Sequence, residues 1–220
     1  MKSSEMKRIV ILISGRGSNM QSLLEGVASG ALNVGVAAVI SNRPQAGGLA
    51  IATAQGIPTR VIDHQHFLSR EAFDTALAAV IDEFAPDLVV LAGFMRILSD
   101  DFVRHFDGRL INIHPSLLPS FPGLHTHRRA LEEGVKVHGC TVHFVTPTLD
   151  HGPIIVQAVV PVFDEDDEDR LAARVLAQEH QIYPLAVGWF VNNQLRIVDG
   201  RVVFDGAHRF SEALISPQGR

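Results

Sequence analysis

Two polar side chains stand at the end of a short apolar run in LINIHPSLLPSFPG, residues 110–123. Asn112 and His114 are separated by one residue, so a strand places both on one face, roughly 6 to 7 Å apart. A histidine moves protons near neutral pH, and an asparagine amide donates to a developing oxyanion. The pair is typical of an acyl-transfer site without a covalent intermediate. The alternative is a structural histidine beside a strand-end asparagine.

A carboxylate that can serve the same site lies downstream in TPTLDHGPII, residues 146–155. Asp150 occupies a loop rich in glycine and proline, and such a carboxylate can orient an imidazole and stabilise its protonated form. The alternative is that Asp150 only initiates the turn before Gly152. Neither a serine nor a cysteine lies in a nucleophile motif, and Cys140, inside an alternating strand pattern, is predicted to be a packing residue.

A glycine-rich turn, SGRGSN at residues 14–19, lies between an apolar run and a helical pattern. Gly15 and Gly17 permit a tight turn with free backbone N–H groups, and Ser18 or Asn19 can cap the helix. A helix N-terminus with free N–H groups binds phosphate. The turn matches neither the Walker loop nor the dinucleotide GxGxxG pattern, so we expect one phosphate. A tight turn without a ligand is the alternative.

Histidine is abundant, with eleven in the chain, so a metal site has to be considered. The HTH run at 125–127, together with His138 and His143, offers nitrogen ligands for zinc. However, the chain contains neither HExxH nor C-x-x-C, and no pair of ligands has helical i, i+4 spacing. The sequence therefore predicts no catalytic metal.

Apolar runs alternate with helical patterns in the first half of the chain. The runs at 8–14, 32–42, 58–63, 87–94 and 109–115 are predicted strands. Continuous apolar strands separated by helices indicate a parallel sheet that is covered on both faces. The catalytic candidates and the glycine turn then fall at strand ends, where such sheets bind ligands.

The pattern changes after residue 120. Predicted antiparallel strands at 137–145 and 153–162 precede a helix over 170–193, which Pro184 interrupts or kinks. A hairpin follows at 195–204, with a type I′ turn at Asp199-Gly200. We therefore predict an α/β fold: one doubly wound, mostly parallel sheet with an antiparallel C-terminal edge and a hairpin. The chain forms one domain over residues 1–220, with a core at about 7–192 and a hairpin and loosely held tail at 193–220.

Composition excludes several classes of protein. The chain has 220 residues, 46% of them hydrophobic, and a net charge of −5, which argues against a nucleic-acid-binding surface. No apolar stretch approaches the roughly 20 residues that span a membrane. The single cysteine rules out an internal disulfide and fits a reducing cytoplasm. We expect a cytoplasmic protein with no nucleic-acid or membrane partner.

Several segments together are more specific than any one motif. They are, in order, SGRGSNMQSLL, VLAGFMRILS, NIHPSLLPSFPGLHTHRRALEEG, HGCTVHFV, LDHGPII and QEHQIYPLAV. Over roughly residues 7–192, the chain closely resembles the phosphoribosylglycinamide formyltransferase family, folate-dependent transformylases of purine synthesis. Methionyl-tRNA formyltransferase and formyltetrahydrofolate deformylase are similar but add a further domain, for which this chain is expected to have no room.

The resemblance implies a Rossmann-like formyltransferase that moves the formyl group of 10-formyltetrahydrofolate to the amine of 5′-phosphoribosylglycinamide (GAR), without a metal. Asn112, His114 and Asp150 match the catalytic trio, and Glu179 matches a residue that contacts GAR. The matching phosphate-binding residues are Gly15, Arg16, Gly17, Ser18 and Asn19. The matching folate-binding residues are Arg70, Met95, Arg96, Ile97, Leu98, Asn112, Thr146, Pro147, Thr148, Leu149 and Asp150.

Some of these positions also have an explanation that needs no ligand. Arg70 is otherwise a surface arginine at a helix start, and Glu179 an exposed helical glutamate. Two positions depart from the family pattern: Arg16 either adds charge near the phosphate or faces solvent, and His151 replaces a common glycine beside Asp150. A formyltetrahydrofolate hydrolase and a non-catalytic phosphoribosyl-binding module are the alternative functions. The sequence leaves open a monomer or a homodimer.

Overall fold

The computed structural model describes residues 6–206, and the predicted tail at 207–220 lies outside them. The strands are β1 (Arg8–Ile13), β2 (Gly35–Ser41), β3 (Thr59–Val61), β4 (Leu88–Leu91), β5 (Leu110–His114), β6 (Val137–Phe144), β7 (Ile154–Pro161), β8 (Leu195–Val198) and β9 (Arg201–Phe204). The helices are α1 (Ser18–Ala28), α2 (Gly47–Ala54), α3 (Arg70–Asp82), α4 (Asp100–His105), α5 (Thr126–Glu132) and α6 (Glu168–Val191), with a 3₁₀ turn at His64–His66.

One seven-stranded sheet has the order β3-β2-β1-β4-β5-β6-β7. Strands β1 to β5 are parallel, whereas β6 pairs antiparallel with both β5 and β7. The predicted fold class is therefore confirmed. The C-terminal ends of β1, β4 and β5 lie at the same edge of the sheet, because these strands are neighbours and parallel.

Strand β1 shows why the sheet is covered on both faces. Ile9, Ile11 and Ile13 belong to the apolar cluster that includes residues of α1 and α6, whereas Val10 and Leu12 belong to the cluster with residues of α3 and α4. All five side chains are fully buried. The same alternation in β5 places Ile111 and Ile113 in the α1/α6 cluster, so Asn112 and His114 project from the opposite face.

Side-chain caps begin several of the helices. Ser69 accepts the Ala72 N–H at the start of α3, and Asp167 accepts the Arg170 N–H at the start of α6. Asp167, Glu168 and Asp169 thus place negative charge at the positive end of the dipole of α6, which stabilises the helix. Pro184 lies inside α6, which continues to Val191.

The hairpin formed by β8 and β9 is a separate two-stranded sheet. Both turn residues have positive φ, 49° at Asp199 and 72° at Gly200, as the predicted type I′ turn requires. An ion pair of 2.8 Å joins Arg196 to Asp205, and the Trp189 and Phe204 rings pack 4.7 Å apart, centroid to centroid. The ion pair joins the two strands of the hairpin, and the ring contact holds the hairpin against the end of α6. Within residues 6–206, no helix is long and apolar enough to cross a membrane.

Candidate active site

Asn112 lies in β5 opposite His143 of β6, and the two side chains touch. The Asn112 amide nitrogen lies 3.3 Å from His143 Nε2, while His143 Nδ1 lies 2.9 Å from the Phe144 carbonyl oxygen. Because a carbonyl only accepts, Nδ1 carries the proton and Nε2 accepts from the amide. Burial lowers the pKa of His143, which keeps the ring neutral. His143 therefore fixes the direction of the Asn112 amide and leaves its second N–H free.

His114 is the buried partner of Asp150. Its Nδ1 lies 3.6 Å from Asp150 Oδ2, and each side chain is only 8% exposed. Its Nε2 faces the Phe121 carbonyl oxygen at 3.0 Å. Both ring nitrogens of His114 therefore face acceptor oxygens, one from a carboxylate and one from a backbone carbonyl. Asp150, in the left-handed region with φ 51°, also accepts the Gly123 N–H at 2.8 Å.

The proline-rich segment after His114 is held by side chains of the antiparallel strands. Thr141 of β6 donates to the Ser116 carbonyl at 2.6 Å and accepts the Leu118 N–H at 3.0 Å. Gln157 of β7 donates to the Leu118 carbonyl at 2.9 Å. These bonds fix the wall that carries Phe121 and Gly123 to His114 and Asp150.

Two further histidines pack behind His114. The rings of His127 and His138 lie 5.5 Å apart, and the ring of Phe121 lies 5.7 Å from that of His138. Burial lowers the pKa of His138 to about 4, and the nearby His127 adds to this effect. His138 is therefore neutral at physiological pH. Within residues 6–206, no group of three or more His, Cys, Asp or Glu residues could hold a metal ion.

Cys140 lies in the centre of β6 and is fully buried. Burial raises the pKa of its thiol to about 12, and the nearby Glu179 adds to this rise. The reactive form of a cysteine is the thiolate, which this environment disfavours. The prediction that Cys140 is a packing residue is confirmed.

The glycine turn forms a tight connection between β1 and α1. Gly17 has φ 76°, and an added Cβ would lie 3.1 Å from the Gly48 Cα, so α2 approaches the turn closely. The Gly48 N–H donates to the Gly15 carbonyl, and the first bond of α1 runs from the Gln21 N–H to the Gly17 carbonyl. The N–H groups of residues 18–20 thus precede the helical ladder, as in an anion-binding helix start.

The prediction that Ser18 or Asn19 caps α1 is wrong. Gly17 is the N-cap residue and makes no side-chain bond. The Asn19 amide instead donates to Glu179 Oε2 of α6 at 2.7 Å. Glu179 is only 6% exposed, so the alternative that it is an exposed helical glutamate is wrong. Burial raises the pKa of this carboxylate, against the effect of the Asn19 bond.

The loop after β4 contains the folate-binding candidates at 95–98. The Met95 N–H donates to Ser14 Oγ at 2.7 Å, and Ser14 Oγ donates to Asn42 Oδ1 at 2.6 Å. Met95 and Ile97 are 60% and 59% exposed, and Leu149 of the 146–150 loop is 53% exposed. Leu98 and Val145 pack against the same apolar cluster, which brings the two loops together. Exposed apolar side chains thus flank the His114 site.

The remaining candidates lie on the surface. Arg70 is exposed at the start of α3 and pairs with Glu71 at 3.2 Å. Arg16 and His151 are also exposed. Sequence reasoning missed Ser14 and Asn42, which join the ends of β1 and β2 to the folate-candidate loop. The sequence feature that could have identified them is a polar residue directly after each apolar strand.

Comparisons with known proteins agree with this geometry. A family model described as formyl transferase matches residues 7–187. Phosphoribosylglycinamide formyltransferase of Escherichia coli (strain K12) is 52% identical over 211 residues, covering 96% of this chain and 97% of that protein. The Haemophilus influenzae protein of the same name is 44% identical over 201 residues, with coverages of 91% and 95%. Glycinamide ribonucleotide transformylase 1 from Symbiobacterium toebii matches in structure with a TM-score of 0.89 and 48% identity, covering 92% of this chain and 95% of that one.

Proposed function

The chain belongs to the formyl transferase family, and we propose that it transfers the formyl group of 10-formyltetrahydrofolate to the amine of GAR in purine biosynthesis. The observation that carries the proposal is the grouping of Asn112, His114 and Asp150 at one strand end. The similarity to phosphoribosylglycinamide formyltransferases over nearly the whole chain supports the choice of substrates.

GAR carries a phosphate at one end and a primary amine at the other. The turn from Gly15 to Asn19 suits the phosphate, because the N–H groups at the start of α1 point away from the helical ladder. Glu179 is held beside this turn by Asn19. We assign Glu179 to the glycinamide ribonucleotide between the two ends, where its carboxylate accepts hydrogen bonds.

We assign the folate to the loops at 95–98 and 146–150. Its pterin ring is flat and apolar on its faces and polar at its edge, which suits exposed Met95, Ile97 and Leu149 beside backbone N–H and carbonyl groups. Arg70 and Arg96 supply positive charge for the carboxylates of its glutamate tail. This assignment brings the formyl group towards Asn112 and His114.

The reaction is a direct attack. The GAR nitrogen forms a bond to the formyl carbon, and the carbonyl oxygen becomes an oxyanion. The free N–H of Asn112 and a ring N–H of His114 donate to that oxygen. His114 Nε2 faces the Phe121 carbonyl, so substrate binding must replace this contact if Nε2 is the donor.

The tetrahedral intermediate then collapses. The bond between the formyl carbon and the folate nitrogen breaks, and the proton lost by the attacking amine passes to that leaving nitrogen. Asp150 stabilises the His114 imidazolium during both steps and assists the proton transfer. Tetrahydrofolate and formyl-GAR are released.

Two alternatives use the same site differently. A formyl-folate hydrolase needs no anchor for a phosphorylated amine, whereas here Gly17 and Asn19 form a helix start joined to buried Glu179. A non-catalytic binding module needs no imidazole ring held beside a buried carboxylate, as His114 is beside Asp150. The transferase accounts for both features.

The test is to mix the protein with GAR and 10-formyltetrahydrofolate and to measure free tetrahydrofolate. We expect release that depends on GAR, with a slow rate in a control without the amine. Equal release without GAR would support the hydrolase. No release, together with tight binding of GAR, would support the binding module.

A further inference from the structure

The loop from Gly93 to Ser99 is fixed at both ends by side chains from other elements. At its start, the Met95 N–H donates to Ser14 Oγ at 2.7 Å. At its end, the Ser99 N–H donates to Asp74 Oδ2 of α3 at 2.5 Å. The residues between these anchors carry the backbone groups and side chains assigned to the folate. Side chains from other elements therefore hold the loop in position.

Asp74 is an unusual residue to find at such an anchor. It is 1% exposed, and its Oδ1 has no hydrogen-bond partner among residues 6–206. Burying a carboxylate is costly unless it is paired and fully hydrogen-bonded. Arg70, at the start of the same helix, pairs with Glu71 at 3.2 Å. A residue that only stabilised the fold would avoid this cost.

The neighbouring residue of α3 also holds the loop. The Arg96 guanidinium lies over the Phe73 ring at 4.7 Å, and its Nε is buried without a partner within residues 6–206. Arg96 and Arg70 are the charged groups whose fields act on Asp74. Helix α3 thus supports the loop at two adjacent points, with Phe73 beneath Arg96 and Asp74 beneath Ser99.

We propose that Asp74 is a positioning residue for the folate: its carboxylate fixes the end of the Gly93–Ser99 loop, which carries Arg96, in the position that the bound co-substrate requires. The proposal rests on the proposed function and deepens it. Asp74 touches neither substrate. Its effect is therefore on the affinity for formyl-folate and not on GAR or on the chemical step.

The test compares Asp74→Ala and Asp74→Asn with the wild type in the tetrahydrofolate-release assay. Asp74→Ala removes both the acceptor and the charge, so we expect KM for 10-formyltetrahydrofolate to rise about tenfold, with KM for GAR and kcat within twofold. Asp74→Asn retains an acceptor for the Ser99 N–H but loses the charge, so we expect a rise of about threefold. If Asp74→Ala does not fold, Asp74→Asn decides the question by the same comparison.

A matched control separates positioning from stability. Asp167 also accepts one backbone N–H at a helix start, that of Arg170 at 2.8 Å, and lies outside the site. Asp167→Ala should lower the thermal midpoint without changing either KM. An unchanged formyl-folate KM in a folded Asp74 variant, or equal changes for both substrates, would overturn the proposal. Absence of turnover in the wild type would instead overturn the proposed function.

Discussion

The Asn112 amide nitrogen lies 3.3 Å from Nε2 of His143 across the pairing of β5 with β6. This contact decides which end of the amide is the donor, because the neutral His143 ring offers Nε2 only as an acceptor. One amide hydrogen is occupied by His143, and the other has no partner among residues 6–206. Asn112 is therefore oriented before the substrate arrives, which is the condition under which a hydrogen-bond donor stabilises an oxyanion effectively.

Replacing the amide tests this role directly. Asn112→Asp preserves the size of the side chain but removes both N–H groups and adds negative charge beside the developing oxyanion. We expect kcat to fall by about a hundredfold to a thousandfold, the cost of losing one oxyanion donor. The measurement is kcat at saturating substrates, with circular dichroism to verify folding. Turnover close to that of the wild type would remove Asn112 from the mechanism.

The phosphate site is tested at Gly17. Gly17→Ala places a Cβ at a left-handed residue, 3.1 Å from the Gly48 Cα, so the turn must distort. We expect KM for GAR to rise about tenfold or more while KM for the folate stays unchanged. Gly30→Ala is the matched control, because Gly30 also has φ 76° but lies after α1, outside the turn, and its added Cβ meets no atom within 4 Å. Equal effects of the two changes would contradict the assignment.

Glu179 is expected to lower the stability of the folded protein while strengthening the binding of GAR. Burial raises the pKa of Glu179, so the folded protein holds this proton more tightly than the unfolded chain does. The stabilising contribution of this proton is therefore fully present below the ordinary pKa of a glutamate, and it is lost as pH rises through the raised pKa of the folded protein. Glu179→Gln still accepts from Asn19. We expect a more stable protein at pH 8, measured by urea unfolding, and at least tenfold weaker GAR binding. Unchanged GAR affinity would exclude the binding role.

His138 should contribute to acid sensitivity. Its pKa is lowered to about 4 in the folded state, so the unfolded chain takes up this proton first as pH falls below about 6.5. The contribution of neutral His138 to the free energy of unfolding is thus fully present above that pH and is lost progressively towards pH 4. His138→Phe removes the titration, and the loss of unfolding free energy between pH 7.5 and 4.5 should shrink by about 2 kcal/mol. An unchanged difference would refute the assignment.

Sequence reasoning succeeded where the determining interactions are local. The period-two pattern of β5 predicts the shared face of Asn112 and His114, and the two turn residues Asp199 and Gly200 take the positive φ that the predicted type I′ turn requires. The strand predicted over 87–94 ends at Leu91 in the structure. Gly93 then takes φ 73°, which turns the chain into the loop.

Other contacts of the site depend on packing between distant elements. Asn19 and Glu179 are 160 residues apart in the sequence, and the helical pattern of either segment does not predict its contact with the other. The same holds for Asn112 with His143 and for Asp74 with Ser99, which require the sheet order and helix packing to be known. The resemblance supplied the candidate site residues, but not the side chains that orient them.

The central claim is that the formyl group passes directly from the folate to the GAR amine at Asn112, His114 and Asp150. The most direct measurement follows a formyl carbon labelled with ¹⁴C in 10-formyltetrahydrofolate, with the wild type and with His114→Ala. We predict that the wild type places one label in formyl-GAR for each tetrahydrofolate released and that His114→Ala slows this transfer at least a hundredfold. Label released as free formate at a rate independent of GAR, or full transfer by His114→Ala, would contradict the account.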